Sequence, residues 1–177
     1  SREARSILLQ ESYDAFLAHP LTGVGAGQFQ NYNPEGRQEP WREAHNVVLQ
    51  VAAELGVGGL MIFGFLLARG VSGPIQTRRL LRRLDTGEGR RRKHIAVPAL
   101  DPSEREFFTT HAEMMSAALA GWFVCALFAS VAYHWTFYYL LALAIVPREY
   151  LRARIGEARR QPRAGAARTH AAMGLSA

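Results

Sequence analysis

The chain has 177 residues, of which 49% are hydrophobic, with a formal net charge of +6 and a pI near 10.1. A mean hydropathy of -0.07 would suit a soluble domain, but that average conceals apolar runs and basic clusters that occupy different stretches. The single cysteine, Cys125, excludes a disulfide framework and a cysteine metal site, and the histidines form no ligand pattern, so no metal site is expected.

Residues 3–18 are predicted to form an amphipathic helix outside the bilayer, because Leu9, Tyr13 and Phe16 recur at helical spacing. His19-Pro20 stops it, since the residue before a proline is pushed out of the helical region. The stretch LTGVGAGQFQNYNPEGRQEP then carries Gly23, Gly25, Gly27, Gly36, Pro34 and Pro40, which is loop chemistry. From Val47 to Ala68 the sequence is apolar enough for one crossing, which takes roughly 20 residues, and the crossing is assigned to 46–69. Residues 70–111, with charge blocks, glycines and prolines, read as a basic loop.

Residues 112–146 are apolar again, with Glu113 and His134 their only ionisable side chains other than Tyr and Cys. This run is too long for one helix and too short for two full-length ones, so 112–147 is expected to be a hairpin broken near Tyr133-His134-Trp135. The basic tail, 148–177, is expected to extend the last helix only briefly.

The cations are segregated. Arg78, Arg79, Arg82, Arg83 and Arg90 to Lys93 lie between the apolar runs, and Arg148, Arg152, Arg154, Arg159, Arg160, Arg163 and Arg168 follow the last. The segment before the first run is mildly acidic. Basic loops stay cytoplasmic, and three crossings satisfy that rule at every loop, placing 1–45 outside, 70–111 inside, a short outer turn near 134, and the tail inside. The expected fold is therefore all-α: a polytopic membrane protein with about three transmembrane helices and an amphipathic outer helix. The arginines read as orientation signals that also favour anionic lipids. Without aromatic interleaving, no nucleic-acid partner is expected.

His45 and Asn46 sit where an outer loop meets a membrane helix, wet enough to titrate yet close to lipid-borne substrates. A continuous helix would place Leu49, Ala52, Gly56, Gly59 and Phe63 on the face of His45, with small residues that admit a neighbouring helix. His45 is equally readable as an interfacial histidine and Asn46 as a residue that starts the helix. Glu54 would lie about 14 Å deeper and nearly on the opposite side, forming a second polar stripe with Gln50. A carboxylate there must be protonated, paired or facing a polar cavity, which implies either missing upstream helices or a nearby arginine. Arg5, one turn before Leu9, projects from the apolar face, where it can bind pyrophosphate oxygens or snorkel beside head groups. Arg37 and Arg42 are further outer cations. Gly23 to Gly27 is reminiscent of a phosphate cradle but lacks the spacing of the dinucleotide or P-loop fingerprints.

Arg5, His19-Pro20, GVGAGQF (Gly23 to Phe29), AHN (Ala44 to Asn46) and ELGVGGL (Glu54 to Leu60) follow one another in an order that resembles the C-terminal part of the O-antigen ligase and polymerase superfamily. The resemblance covers roughly residues 3–147 and is strongest from 19 to 68. It implies a multi-pass glycosyltransferase of the bacterial inner membrane. Such an enzyme moves a glycan, with inversion, from undecaprenyl pyrophosphate to an acceptor glycolipid or growing polysaccharide at the periplasmic face, without nucleotide sugar or metal. It assigns His45 as the base and Arg5 to the pyrophosphate. Arg42, Asn46, Gly25 and Gly27 are weaker substrate contacts, while Glu54, Gly56 and Gly59 shape the helix and its packing.

The start of the chain lacks a signal-peptide plan and an initiator Met. The chain is therefore expected to be the C-terminal part of a longer protein and inactive alone. Ligase is the first reading, polymerase the second; protein O-glycosylation also stays open, as does a non-catalytic membrane module.

Overall fold

A computed structural model of the chain describes residues 2–32, 35, 38, 42–85 and 100–173. These residues contain four helices and no strand: α1 (Arg2–Ala18), α2 (Val47–Asp85), α3 (Pro102–Ala126) and α4 (Trp135–Met173). Contacts divide the chain into two units, Ser1–Gly70 with Ala117–Ala142, and Val71–Ser116 with Leu143–Ala177.

In the first unit α1 docks through Leu8, Ser12 and Ala15, all buried, whereas Tyr13 is 48% exposed. The docked stripe is thus one residue, about 100°, round from the Leu9, Tyr13 and Phe16 face expected from the sequence. Ser12 belongs to the stripe because its hydroxyl is satisfied locally, donating to Leu8 O at 2.6 Å. Ala15, Phe29, Ala44 and Ala53 form a small core with Val24 and Tyr32 packed against it. Further along, Phe137 is flanked by Trp122, with ring centroids 4.4 Å apart, and by Phe63 at 5.5 Å.

Helix α2 is broken at Gly56, whose φ of 64° and ψ of -159° are not helical. Backbone accounting shows how the break is tolerated. In an unbroken helix the carbonyls of Ala53 and Glu54 would accept from Val57 and Gly58. Instead they accept from Val24 N–H and Gly25 N–H, each at 2.9 Å, and Val57 N–H donates to Pro20 O at 2.8 Å. The loop after α1 therefore replaces the bonds that the helix gives up, leaving those buried backbone groups satisfied. Two glycines make the approach possible. A Cβ on Gly56 would lie 2.6 Å from Pro20 O, and one on Gly23 would collide with the backbone of Glu54 and Leu55.

One helix among the described residues is long and apolar enough to cross a membrane: α2, over Val47–Leu84, whose most apolar 18-residue stretch has a mean hydropathy of 2.0. From the break to Thr77 it has about 21 residues and rises about 31 Å, close to the thickness of a bilayer core. Much of this stretch is unburied by the chain, with Met61, Ile62 and Phe65 each more than 60% exposed. The helix does not stop at 69. Residues 70–85, read from the sequence as loop, continue it, because the Leu80, Leu81 and Leu84 spacing is helical and Thr77 Oγ1 donates to Gly73 O at 3.0 Å.

In the second unit Leu81, Phe108 and Leu151 form a core with Leu80 and Leu100 against it. Around it two of the cations are paired with carboxylates: Arg78 with Glu113 at 2.6 Å, and Arg154 with both oxygens of Glu104 at 2.9 and 3.0 Å. The Glu104 carboxylate raises the already high pKa of Arg154, which stays charged. Pro147 has no N–H for Leu143 O, and His111 Nε2–H donates to that carbonyl at 3.0 Å. Helix α3 begins at Pro102, so 102–111 are helical and not loop. Helix α4 reaches Met173, further than the brief extension expected, on a sequence rich in Ala and Arg, both strong helix formers. Arg90 to Lys93 lie outside the described residues.

Candidate functional site

His45 does not lie on α2. Asn46 caps that helix, its Oδ1 accepting from Val48 N–H at 3.0 Å and Leu49 N–H at 3.1 Å, so the helix begins at Val47. His45 stands before the cap with φ of 49°, an uncommon conformation for a side-chain-bearing residue. The continuous-helix projection from His45 through Gly56 to Phe63 therefore fails twice, at the cap and at the Gly56 break.

His45 is held by the turn between α3 and α4. Its N–H donates to Ser130 Oγ at 2.8 Å, and Asn46 Nδ2 donates to Leu127 O at 3.2 Å. The same turn receives Arg5, whose Nη2 donates to Phe128 O at 3.2 Å while its guanidinium lies 5.2 Å from the Phe128 ring centre. Gln50 Oε1 accepts from Ala132 N–H at 3.2 Å. Residues 127–133 thus gather Arg5, His45, Asn46 and Gln50. The sequence places the hairpin break near Tyr133-His134-Trp135, at the end of this segment, and assigns 127–132 no role. The one available signal was its polar or aromatic Ser130, Tyr133 and His134 within an apolar run.

Glu54 is 3% exposed, and its hydrogen-bond partners among the described residues do not include an arginine. Its carboxylate accepts from Gly27 N–H at 3.1 Å and Phe29 N–H at 3.3 Å, and it lies beside the Tyr133 hydroxyl. The amides of Gly25 and Gly27, expected to face a phosphate, are thereby committed to Glu54, and the glycine loop is a clasp on α2. Gly59 is helical and packs beneath the Leu55 side chain, which the break at Gly56 brings over it. Arg42 is exposed in the non-helical lead into His45, and Arg37 lies outside the described residues.

Burial, with the Glu54 carboxylate beside it, pushes the Tyr133 phenol above its usual range; the Gly27 amide works the other way. A raised folded-state value means that the folded chain holds this proton more tightly than the unfolded chain. The stabilisation is complete below the ordinary tyrosine value near 10 and is lost as pH rises above it. Tyr133→Phe is accordingly expected to make the fall in melting temperature above about pH 10 shallower. An unchanged alkaline slope would contradict this.

A cleft of about 260 Å³ opens in the first unit between the glycine loop (Gly27, Gln30), the lead into His45 (Glu43, Ala44), α2 (Gln50, Glu54) and the outer turn (Ser130, Tyr133, His134). Among the described residues no group of three His, Cys, Asp or Glu is placed to hold a metal ion.

The secondary structure of the described residues is thus all helical, with a long apolar helix and a polar site at that helix's broken, capped end. Residues 1–64 match the family model Wzy_C, described as O-antigen ligase, and this segment carries Arg5, the glycine clasp, His45, Glu54 and Gly56. The match points to glycan transfer at a membrane. No curated protein and no solved structure matches the chain.

Proposed function

We propose that the chain contributes the outer catalytic face of a multi-pass inner-membrane glycosyltransferase that moves a glycan from undecaprenyl pyrophosphate to an acceptor hydroxyl. The observation that carries this reading is that Arg5 and His45, 40 positions apart within the family match, are anchored two residues apart on one turn, at Phe128 and Ser130.

The acceptor hydroxyl attacks the anomeric carbon from the face opposite the pyrophosphate, the bond to the pyrophosphate oxygen breaks, and the configuration inverts. His45, exposed and without a hydrogen-bond partner for its ring among the described residues, takes the hydroxyl proton. Arg5 spends one N–H on Phe128 O and keeps its other donors for the charge that develops on the departing pyrophosphate. No metal is assigned a role.

Three crossings remain the topology that best suits the charges, with residues 1–45 and the turn near 134 periplasmic and the basic loop and tail cytoplasmic. Trp135 and Tyr139, both more than 60% exposed beside that turn, suit an interfacial aromatic belt.

Ligase and polymerase share this chemistry; a deletion strain with uncapped lipid core and intact polymer favours the first, and single-repeat capping the second. The reading is tested by Arg5→Ala in the full-length protein. Loss of a charge-assisted contact is expected to lower kcat/KM for the carrier about 10- to 100-fold, and an unchanged kcat/KM would contradict it.

A further inference from the structure

The cleft beside His45 contains two kinds of polar group. Glu54, Gln50 and Ser130 are engaged in its walls, through the bonds to Gly27, Phe29, Ala132 and His45. Glu43, Gln30 and one edge of His134 are not. The side chains of Glu43 and Gln30 have no partner among the described residues. His134 Nδ1 accepts from Thr136 N–H at 3.4 Å and lies 2.7 Å from Thr136 Oγ1, which leaves the proton of the neutral ring on Nε2.

The unspent set is therefore a carboxylate that accepts, an amide that both donates and accepts, and an imidazole N–H that donates. Among the described residues no Lys or Arg lines the cleft. The Glu43 charge disfavours a phosphate, and the mixed donors and acceptors suit a neutral ligand with several hydroxyls. Tyr133 and Trp135, the latter stacked on His134, offer exposed rings to an apolar ligand face. The volume, at the lower end for ligand pockets, suits a sugar ring and not a lipid chain. Its wall at Glu43 and Ala44 runs directly into His45.

We infer that this cleft is a subsite for a neutral sugar ring, with Glu43 and Gln30 binding ring hydroxyls and His134 Nε2–H donating to a ring substituent. The inference rests on the glycan-transfer reading and adds the division of labour: pyrophosphate at Arg5, sugar in the cleft. The ring belongs either to the carrier-linked glycan or to the acceptor.

The test uses the full-length protein in membrane vesicles, with each glycan varied in turn. Glu43→Ala and His134→Ala are expected to raise the KM for one glycan about tenfold with little change in kcat, and His134→Gln, which keeps an N–H donor, to recover part of the loss. A raised carrier KM assigns the ring to the carrier-linked glycan, and a raised acceptor KM to the acceptor. Two unchanged KM values, or a loss confined to kcat, overturn the subsite while leaving transfer itself standing.

A second measurement does not depend on activity. In a Cys125→Ser background, alkylation of Asn31→Cys, an exposed position next to Gln30, by a maleimide is expected to be slowed by free glycan released from the cell's own surface polysaccharide and not by inorganic pyrophosphate. Slowing by neither, or equally by both, overturns the inference even if the protein transfers no glycan.

Discussion

His45→Asn is expected to lower the rate of glycan transfer by about 10²- to 10⁴-fold, the usual contribution of a positioned general base, with the amount of protein in the membrane unchanged. Asparagine is the informative replacement because the backbone at position 45 has a positive φ. Alanine would add backbone strain to the loss of the base, whereas asparagine visits the left-handed region readily. The N–H bond to Ser130 is made by the main chain and survives the substitution. A drop in rate with normal folding therefore isolates the imidazole. Wild-type rate in His45→Asn would remove His45 from the chemistry.

Gly56→Ala is expected to destabilise the protein by about 2 kcal/mol or more, read as an earlier thermal transition and faster proteolysis in detergent. Two costs combine. The left-handed φ of 64° strains any side chain, and the new Cβ would lie 2.6 Å from Pro20 O and 2.7 Å from Leu21 O, both main-chain atoms that cannot swing aside. Displacing that loop also loosens the amide bonds to Ala53 and Glu54 that close the helix break. Gly58 provides the control. A Cβ there meets nothing within 4 Å, so Gly58→Ala is expected to be neutral or to stabilise by up to about 1 kcal/mol. Equal effects at the two glycines would contradict the account of the break.

The order of His19-Pro20, the glycine loop, AHN and ELGVGGL was legible in the sequence; its physical reason was not. Periodicity assumes a continuous helix, and nothing local announces that Gly56 adopts a left-handed conformation. Only the loop passing beside it, through Val24, Gly25 and Pro20, makes the break affordable. The same assumption sent Glu54 to the far side of the helix, when its partners are the amides of Gly27 and Phe29, 27 and 25 residues earlier.

The α1 register slipped by one residue because Ser12 looks polar in the sequence, yet it is buried with its hydroxyl bonded to Leu8 O. Least visible was the outer turn. Its contacts to Arg5 and His45 span 123 and 85 residues, and they run largely through main-chain groups that carry no sequence signal.

Transfer by the full-length wild-type protein, purified into proteoliposomes and supplied with labelled glycan on undecaprenyl pyrophosphate, tests the central claim most directly. The label is expected to appear on the acceptor, with one free undecaprenyl pyrophosphate released for each glycan moved. Release without transfer, or transfer from a nucleotide sugar and not from the lipid carrier, would contradict it.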